Sequence, residues 1–312
     1  MAYLARRTGQ ALVVLAIAFT ATFVLLQTLP GDAILIKFES PELGLSPEQI
    51  ADIRAAYGAD VPPLQQYLHT LIGFLQGDFG TSVQYGTPVH ELIGSALPDT
   101  LLLAGLGFLV AVVLAVALAV LSILAPFGWL RRVLRALPSV FVSVPVFWLG
   151  IVLIQVFSFQ LRLVPVIGAD PVQALILPVL TLAIPISAPL AQILARSIDG
   201  VQLSPFVAVV RAKGAGPARV LWRDVARNAL LPAITIAGVL IGELIGGAVV
   251  TETVFGRAGI GRITEQAVAN QDVAVLQAIV ILAALVFVLV NLAVDLVYPV
   301  LDPRLKRKAV AA

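Results

Sequence analysis

Thr100–Leu124 reads TLLLAGLGFLVAVVLAVALAVLSIL, and from one end of it to the other there is no charged side chain. A bilayer's hydrocarbon core of about 30 Å is crossed by roughly 20 such residues in helical form. Only a helix or a closed barrel satisfies every backbone N–H and C=O at that depth. Working outward, comparable stretches occur at Ala11–Leu29, Pro138–Phe157, Ala174–Ala195, Ala229–Val250 and Leu276–Tyr298. The expected fold class is an all-α membrane protein with six transmembrane helices. Composition agrees: 60% of the 312 residues are apolar, 12% are charged, and the mean hydropathy is +1.01. Soluble domains run near half and a quarter. A water-soluble chain of this length has no core large enough for that much apolar surface. A cytosolic enzyme, a disordered chain and a nucleic-acid binder are excluded. Cysteine is absent, which removes disulfides, thiolate metal sites and cysteine nucleophiles, and His69 and His90 are too few for a histidine-rich metal site.

Charge gives the orientation. Arg6 and Arg7 precede the first span, Arg131, Arg132 and Arg135 follow the second, and Arg196, Arg211, Lys213, Arg219, Arg223 and Arg227 lie between the fourth and fifth. With Arg304, Lys306, Arg307 and Lys308 in the tail, fifteen of the twenty basic residues fall on one side, while thirteen of the eighteen acidic residues fall on the other. Positive charge stays cytoplasmic during insertion, so both termini are expected in the cytoplasm. The first apolar run is too long for a signal-peptide core and is read as a retained anchor.

Two loops exceed what a connection needs. The outer one covers residues 30–99. Within it, Ser46-Pro47-Glu48-Gln49 reads as a capping box with proline at the first helical position, and Gly58 as that helix's stop. A second helix is expected from Pro62-Pro63, with Leu64, Leu68, Leu71, Ile72 and Leu75 on one face, an amphipathic scaffold helix lying on the membrane or on the bundle. The cytoplasmic loop covers residues 196–228. Ser204 caps, Pro205 opens a short helix, Gly214 ends it in a left-handed turn, and Gly216-Pro217 starts a basic helix carrying Arg219, Arg223 and Arg227. Basic amphipathic helices serve either as interfacial anchors on lipid headgroups or as docking elements for another protein, and the residues alone leave both open.

None of the four lysines, Lys37, Lys213, Lys306 and Lys308, follows a glycine, so the chain lacks a P-loop. No nucleophile elbow, zinc-protease helix or calcium loop occurs either. If the chain performs energised work, a partner supplies the energy, and the chain is expected to be non-catalytic and without a metal site. Two carboxylates fall in spans. Glu243 is mid-way along the fifth, and Asp295 near the end of the sixth. A carboxylate in hydrocarbon costs a few kcal/mol, so Glu243 is expected to face the bundle interior or a water-filled path. Gly238, Gly242 and Gly246 recur four apart, followed by Gly247, a small-residue ridge for close helix approach. Helix packing is expected of Gly238 and Gly247, and Glu243, Gly242 and Gly246 are translocation-path candidates. Pro171, Pro178, Pro185 and Pro189 predict a broken fourth span.

Arg211-Ala212-Lys213-Gly214, followed by Arg227-Asn228-Ala229 and Leu231-Pro232, resembles the coupling motif of binding-protein-dependent ABC importer permeases. Further segments are similar to the dipeptide, oligopeptide and nickel branch. They are Gly77-Asp78-Phe79-Gly80-Thr81-Ser82, Val144-Pro145-Val146-Phe147-Trp148-Leu149-Gly150, Gly246 through Phe255, Gly259-Ile260-Gly261 and Asp302-Pro303-Arg304. The resemblance covers nearly the whole chain and implies a type I ABC importer permease fold, a single transmembrane permease domain over residues 1–312. It implies a second homologous permease subunit, two ATPase subunits or a fused ATPase, and an extracytoplasmic substrate-binding protein. ATP and Mg would be bound by the ATPases. Arg211, Ala212, Lys213, Gly214, Ala215, Gly216 and Pro217 would form the ATPase-docking element. The glutamate-alanine-alanine of the wider motif is absent, with Ala208, Val209 and Val210 in that region. The implied cargo is di- or oligopeptide. Nickel, haem or another small cargo on the same scaffold is the alternative, and an ion-gradient secondary transporter is the rival from another class. Membrane lipid is the remaining expected contact, and no nucleic acid.

Overall fold

The computed structural model describes residues 2–28, 37–38, 45–56 and 61–301, with the side chains of 2–5 and 295–301 excepted. Gly58, the Asp295 side chain, the segment Asp302-Pro303-Arg304 and the basic tail lie outside the described residues. Among those described the structure is helical, with one isolated antiparallel bridge between Thr81 and Pro88 and no strand. Five helices are long and apolar enough to cross a membrane, and a bent pair raises the number to six. The chain divides into two units, Met1–Leu101 with Gly256–Val288, and Leu102–Phe255 with Leu289–Ala312.

The first unit holds α1 (Ala2–Gln27), α2 (Pro47–Ala56), α3 (Pro63–Gln76), the opening turns of α4 (Val89–Leu124), α10 (Ile260–Ala269) and the first part of α11 (Val273–Leu301). The expected capping box at α2 is present in both directions. Ser46 N donates to Gln49 Oε1 at 2.8 Å, and Gln49 N to Ser46 Oγ at 3.3 Å. In α3 the leucine face is not the one packed on the chain's own helices. Leu64, Leu68, Ile72 and Leu75 are exposed, whereas Tyr67 and Phe74 meet Phe19 and Phe23 of α1 edge-to-face, with centroids 5.2 to 5.6 Å apart. Aromatic edges outcompete the leucine stripe because each ring brings a large contact area and a favourable quadrupole geometry. A hydrogen bond from Gln27 Nε2 to Gln66 Oε1 at 2.7 Å adds to the clamp.

The second unit is built on α7 (Gln173–Gln202), with α5 (Gly128–Ser143), α6 (Val146–Leu153) and α9 (Ala226–Phe255) packed on it. Leu182, Ile186 and Leu190 of α7 interlock with Leu240 and Leu244 of α9 and with Leu103, Ala111 and Ala115 of α4. Two expectations are corrected here. The fourth span is one continuous helix despite Pro178, Pro185 and Pro189, because neighbouring helices cover it on most sides and hold the turns together. Pro171 lies outside it. The third span is not a single helix: α5 and α6 meet at 105°. Pro145 has no N–H to give α5, and it holds Val144 extended at φ −91°, ψ 122°. Beyond α6 the chain continues as a π-helical stretch, Ile154–Gln160.

Candidate functional site

The loop singled out in the sequence folds as a knob. After α7 the chain turns at Ser204 into α8 (Pro205–Ala212), with Pro205 at the first helical position. Ser204 stands at the cap position in an extended conformation, but its side chain makes no capping bond. Gly214 closes α8 at φ +84°, a conformation that costs an L-residue about 1–2 kcal/mol. Around that turn Lys213 N reaches Val209 O at 3.1 Å, Gly214 N reaches Arg211 O at 2.9 Å, and Ala215 N reaches Val210 O at 3.4 Å. Pro217–Arg219 then begins a helix that passes through a π stretch, Val220–Val225, directly into α9. The expected basic helix is therefore the start of the fifth span itself.

The base of the knob is apolar and enclosed. Val207 is fully buried and joins Val220, Leu221 and Val225 against Leu194 and Ile198 of α7 and Ala119 of α4. Its top is open. Phe206 and Val209 stand exposed on α8 beside Arg211, Ala212 and Lys213, and Gly216, Pro217, Arg219, Trp222, Arg223 and Arg227 are exposed beyond the turn, with Ala215 half-buried between them. A hydrogen bond from Arg211 Nη2 to Gln202 Oε1 at 3.3 Å ties the arginine back to the end of α7. An apolar surface ringed by cations on a rigid base is chemically suited to an apolar groove with an acidic rim.

Along α9 the residues Asn228, Pro232, Thr235, Val239, Glu243, Gly246, Val250 and Thr253 are all exposed. Their steps of three and four residues make one straight stripe. Thr235 and Thr253 turn their hydroxyls onto Leu231 O and Val249 O, at 3.1 and 2.9 Å. Glu243 makes no hydrogen bond or ion pair among the described residues. It does not point into this chain's own helix packing. The glycine ridge is divided. A Cβ on Gly238 would lie 2.8 Å from Val294 Cγ2 of α11, and one on Gly247 would lie 3.0 Å from Leu182 Cδ2, so these two serve close approach inside the chain. Gly246 faces open space beside Glu243, and Gly242 is half-buried.

The structure adds one polar centre that the sequence reading missed. Asp272, almost fully buried, accepts from Ser82 Oγ at 2.5 Å and from Gln84 N at 3.1 Å. It also accepts from Val275 N at 3.4 Å, capping α11. The Gly77–Ser82 motif is thus pinned, through Ser82, to the start of α11. An aspartate immediately before an apolar run is an N-cap signal that could have flagged it.

Residues 107–307 match the family model described as binding-protein-dependent transport system inner membrane component, and residues 1–104 match the N-terminal model of the same system. The chain is 34% identical to a probable peptide ABC transporter permease protein, y4tP, of Sinorhizobium fredii, over 97% of this chain and 99% of that protein. It is 34% identical to the oligopeptide transport system permease protein AppB of Bacillus subtilis over 98% and 99%. Against the glutathione transport system permease protein GsiC of Escherichia coli K12 it is 33% identical over the same shares. Two crystal forms of the methionine ABC transporter MetNI, in inward-facing conformations, share the fold with TM-scores of 0.52 and 0.56 at 20% and 21% identity. Each alignment covers 68% of this chain and 96% of that one. With six apolar segments, matches end to end and a shared fold, the chain belongs to the binding-protein-dependent transport system inner membrane component family, a multi-pass permease subunit of an ABC importer in the cytoplasmic membrane.

Proposed function

We propose that this permease carries short peptides inward, that its termini and the Arg211–Pro217 knob lie in the cytoplasm, and that the knob seats in a partner ATPase. The observation that carries the docking reading is the opposition within α8 of a fully buried Val207 and an exposed Phe206, Val209, Arg211 and Lys213. A helix anchored that firmly moves with the fifth span, because the base of the knob is continuous with α9. Closure of two ATPases around bound ATP and Mg would then shift α9 as a rigid body. The peptide reading is supported by the end-to-end likeness to permeases named for peptide, oligopeptide and glutathione, itself a short peptide.

The exposed stripe of α9 is where a second permease would complete the path. Glu243 and the open surface at Gly246 lie on it, with the half-buried Gly242 beside them, and a carboxylate there meets the ammonium end of a peptide. The pairing also keeps Glu243 from lipid, where a bare carboxylate is costly.

The experiment is purification of the tagged chain in mild detergent, with mass spectrometry of its companions. Recovery of an ATPase, a second permease and a peptide-loaded binding protein is expected. A chain recovered alone that transports in liposomes on an ion gradient refutes the reading. Reversing charge at Arg211 and Lys213 is expected to separate ATP hydrolysis from uptake while leaving the subunit inserted, and coupled transport at the wild-type rate refutes the docking assignment.

A further inference from the structure

We infer that a cavity between α4, α5 and α7 is a binding site for the phosphate headgroup of an anionic phospholipid. The cavity measures about 230 Å³. This is below the roughly 300 Å³ at which small-molecule pockets begin, and it suits a headgroup rather than a whole solute. Its polar lining is Ser122 from α4, Arg135 and Ser139 from α5, and Gln192, Arg196 and Asp199 from α7. Its apolar side is Leu118, Leu134 and Pro138.

The charges are unevenly used. Arg135 Nη2 lies 3.0 Å from Asp199 Oδ1, so that carboxylate is already engaged. Arg196, an exposed residue on the wall of the same cavity, has no hydrogen bond or ion pair among the described residues. One positive charge is left over, on the side chain whose planar geometry matches a phosphate with two parallel hydrogen bonds.

The setting selects a lipid over a soluble phosphate. Because α5 is bent 105° from the apolar α6, a membrane crossed by α6 has α5 lying near its plane. Along α5 the exposed Trp129 and Val133 alternate with Arg131, Arg132 and Arg135. Aromatic and basic side chains on one such helix are the signature of the headgroup layer. A basic pocket between helices, opening on the cytoplasmic leaflet, takes anionic headgroups from a surface already rich in them. The inference rests on the orientation proposed above, since the opposite orientation would put α5 at the outer leaflet.

The test uses the complete transporter, stripped of lipid and then offered phosphatidylglycerol, phosphatidylcholine or inorganic phosphate separately, with native mass spectrometry as the readout. The wild-type complex is expected to retain a tightly held phosphatidylglycerol, at least fivefold more often than phosphatidylcholine. Arg196→Gln is expected to lose that excess while co-purifying with its partners in wild-type yield, and Arg196→Lys, which keeps charge without the fork, to retain part of it. Equal phosphatidylglycerol retention in wild type and Arg196→Gln overturns the site. Retention of inorganic phosphate in preference to lipid overturns the lipid assignment. Orientation is read independently, by labelling a single Ser139→Cys from outside intact cells with an impermeant maleimide. Labelling there refutes the orientation, whereas the in vitro binding arms judge the site by themselves.

Discussion

Val207 and Phe206 are adjacent in the chain and point about 100° apart around α8, one fully buried and the other 43% exposed. Truncating each to alanine should therefore produce two different defects. Val207→Ala removes two methyl groups from a closed cluster, worth about 0.8 kcal/mol each. The cavity left behind raises the cost to about 2 kcal/mol. That corresponds to a fall of roughly 3 °C in the apparent melting temperature of a subunit of 312 residues. Phe206→Ala removes a partly exposed ring and should leave melting within about 1 °C of wild type, as surface changes do. Its cost should appear in assembly instead. An aromatic at the centre of an interface typically contributes about 2 kcal/mol or more, equivalent to roughly a thirtyfold weaker ATPase association. The assays are thermal aggregation in detergent and titration of the purified ATPase against the permease in nanodiscs. If both variants lower the melting temperature equally, or if Phe206→Ala binds the ATPase as well as wild type, the division of α8 into a buried base and a docking top is wrong.

Gly238→Ala should destabilise the subunit by about 1–3 kcal/mol, because its new methyl lies 2.8 Å from Val294 Cγ2 and the β-branched valine has little rotamer freedom in a helix. Val294→Ala in the same chain should recover most of that loss in a melting experiment, and no recovery would refute the contact. Glu243→Gln should alter peptide uptake without changing melting, since the side chain is exposed and makes no bond among the described residues. Unchanged uptake kinetics would leave it outside the path. Asp272→Asn should cost about 1.5–3 kcal/mol by weakening charge-assisted bonds to Ser82 and Gln84, read as faster amide exchange across the Gly77–Pro88 loop. Exchange at the wild-type rate would refute its role as the pin.

Much of the architecture was legible because it follows from local rules. A run such as Thr100–Leu124 has one stable form in hydrocarbon, and the structure has a helix there. The capping box at Ser46 and the left-handed turn at Gly214 were legible for the same reason, since each is decided by backbone groups within a few residues. Proline was read unevenly. The three inside α7 suggested a break where packing keeps the helix whole, while Pro145 lay unnoticed in a segment read as one span and turns the chain by 105°.

The sequence by itself determined the membrane class, the places of the apolar segments and the place of the knob-forming loop. Hydrophobicity, charge asymmetry and turn residues act over a few neighbours and need no fold to take effect. Only the tertiary structure decided which face of each helix is spent on the chain's own packing. It set Gly238 against Val294 and left Gly246 open, and it clamped α3 by its aromatic residues rather than its leucines. It also drew Asp272 to Ser82 across 190 residues. In hydrocarbon every side of an apolar helix is equally comfortable facing lipid, so periodicity carries no preference among faces. Shape complementarity between distant segments makes that choice.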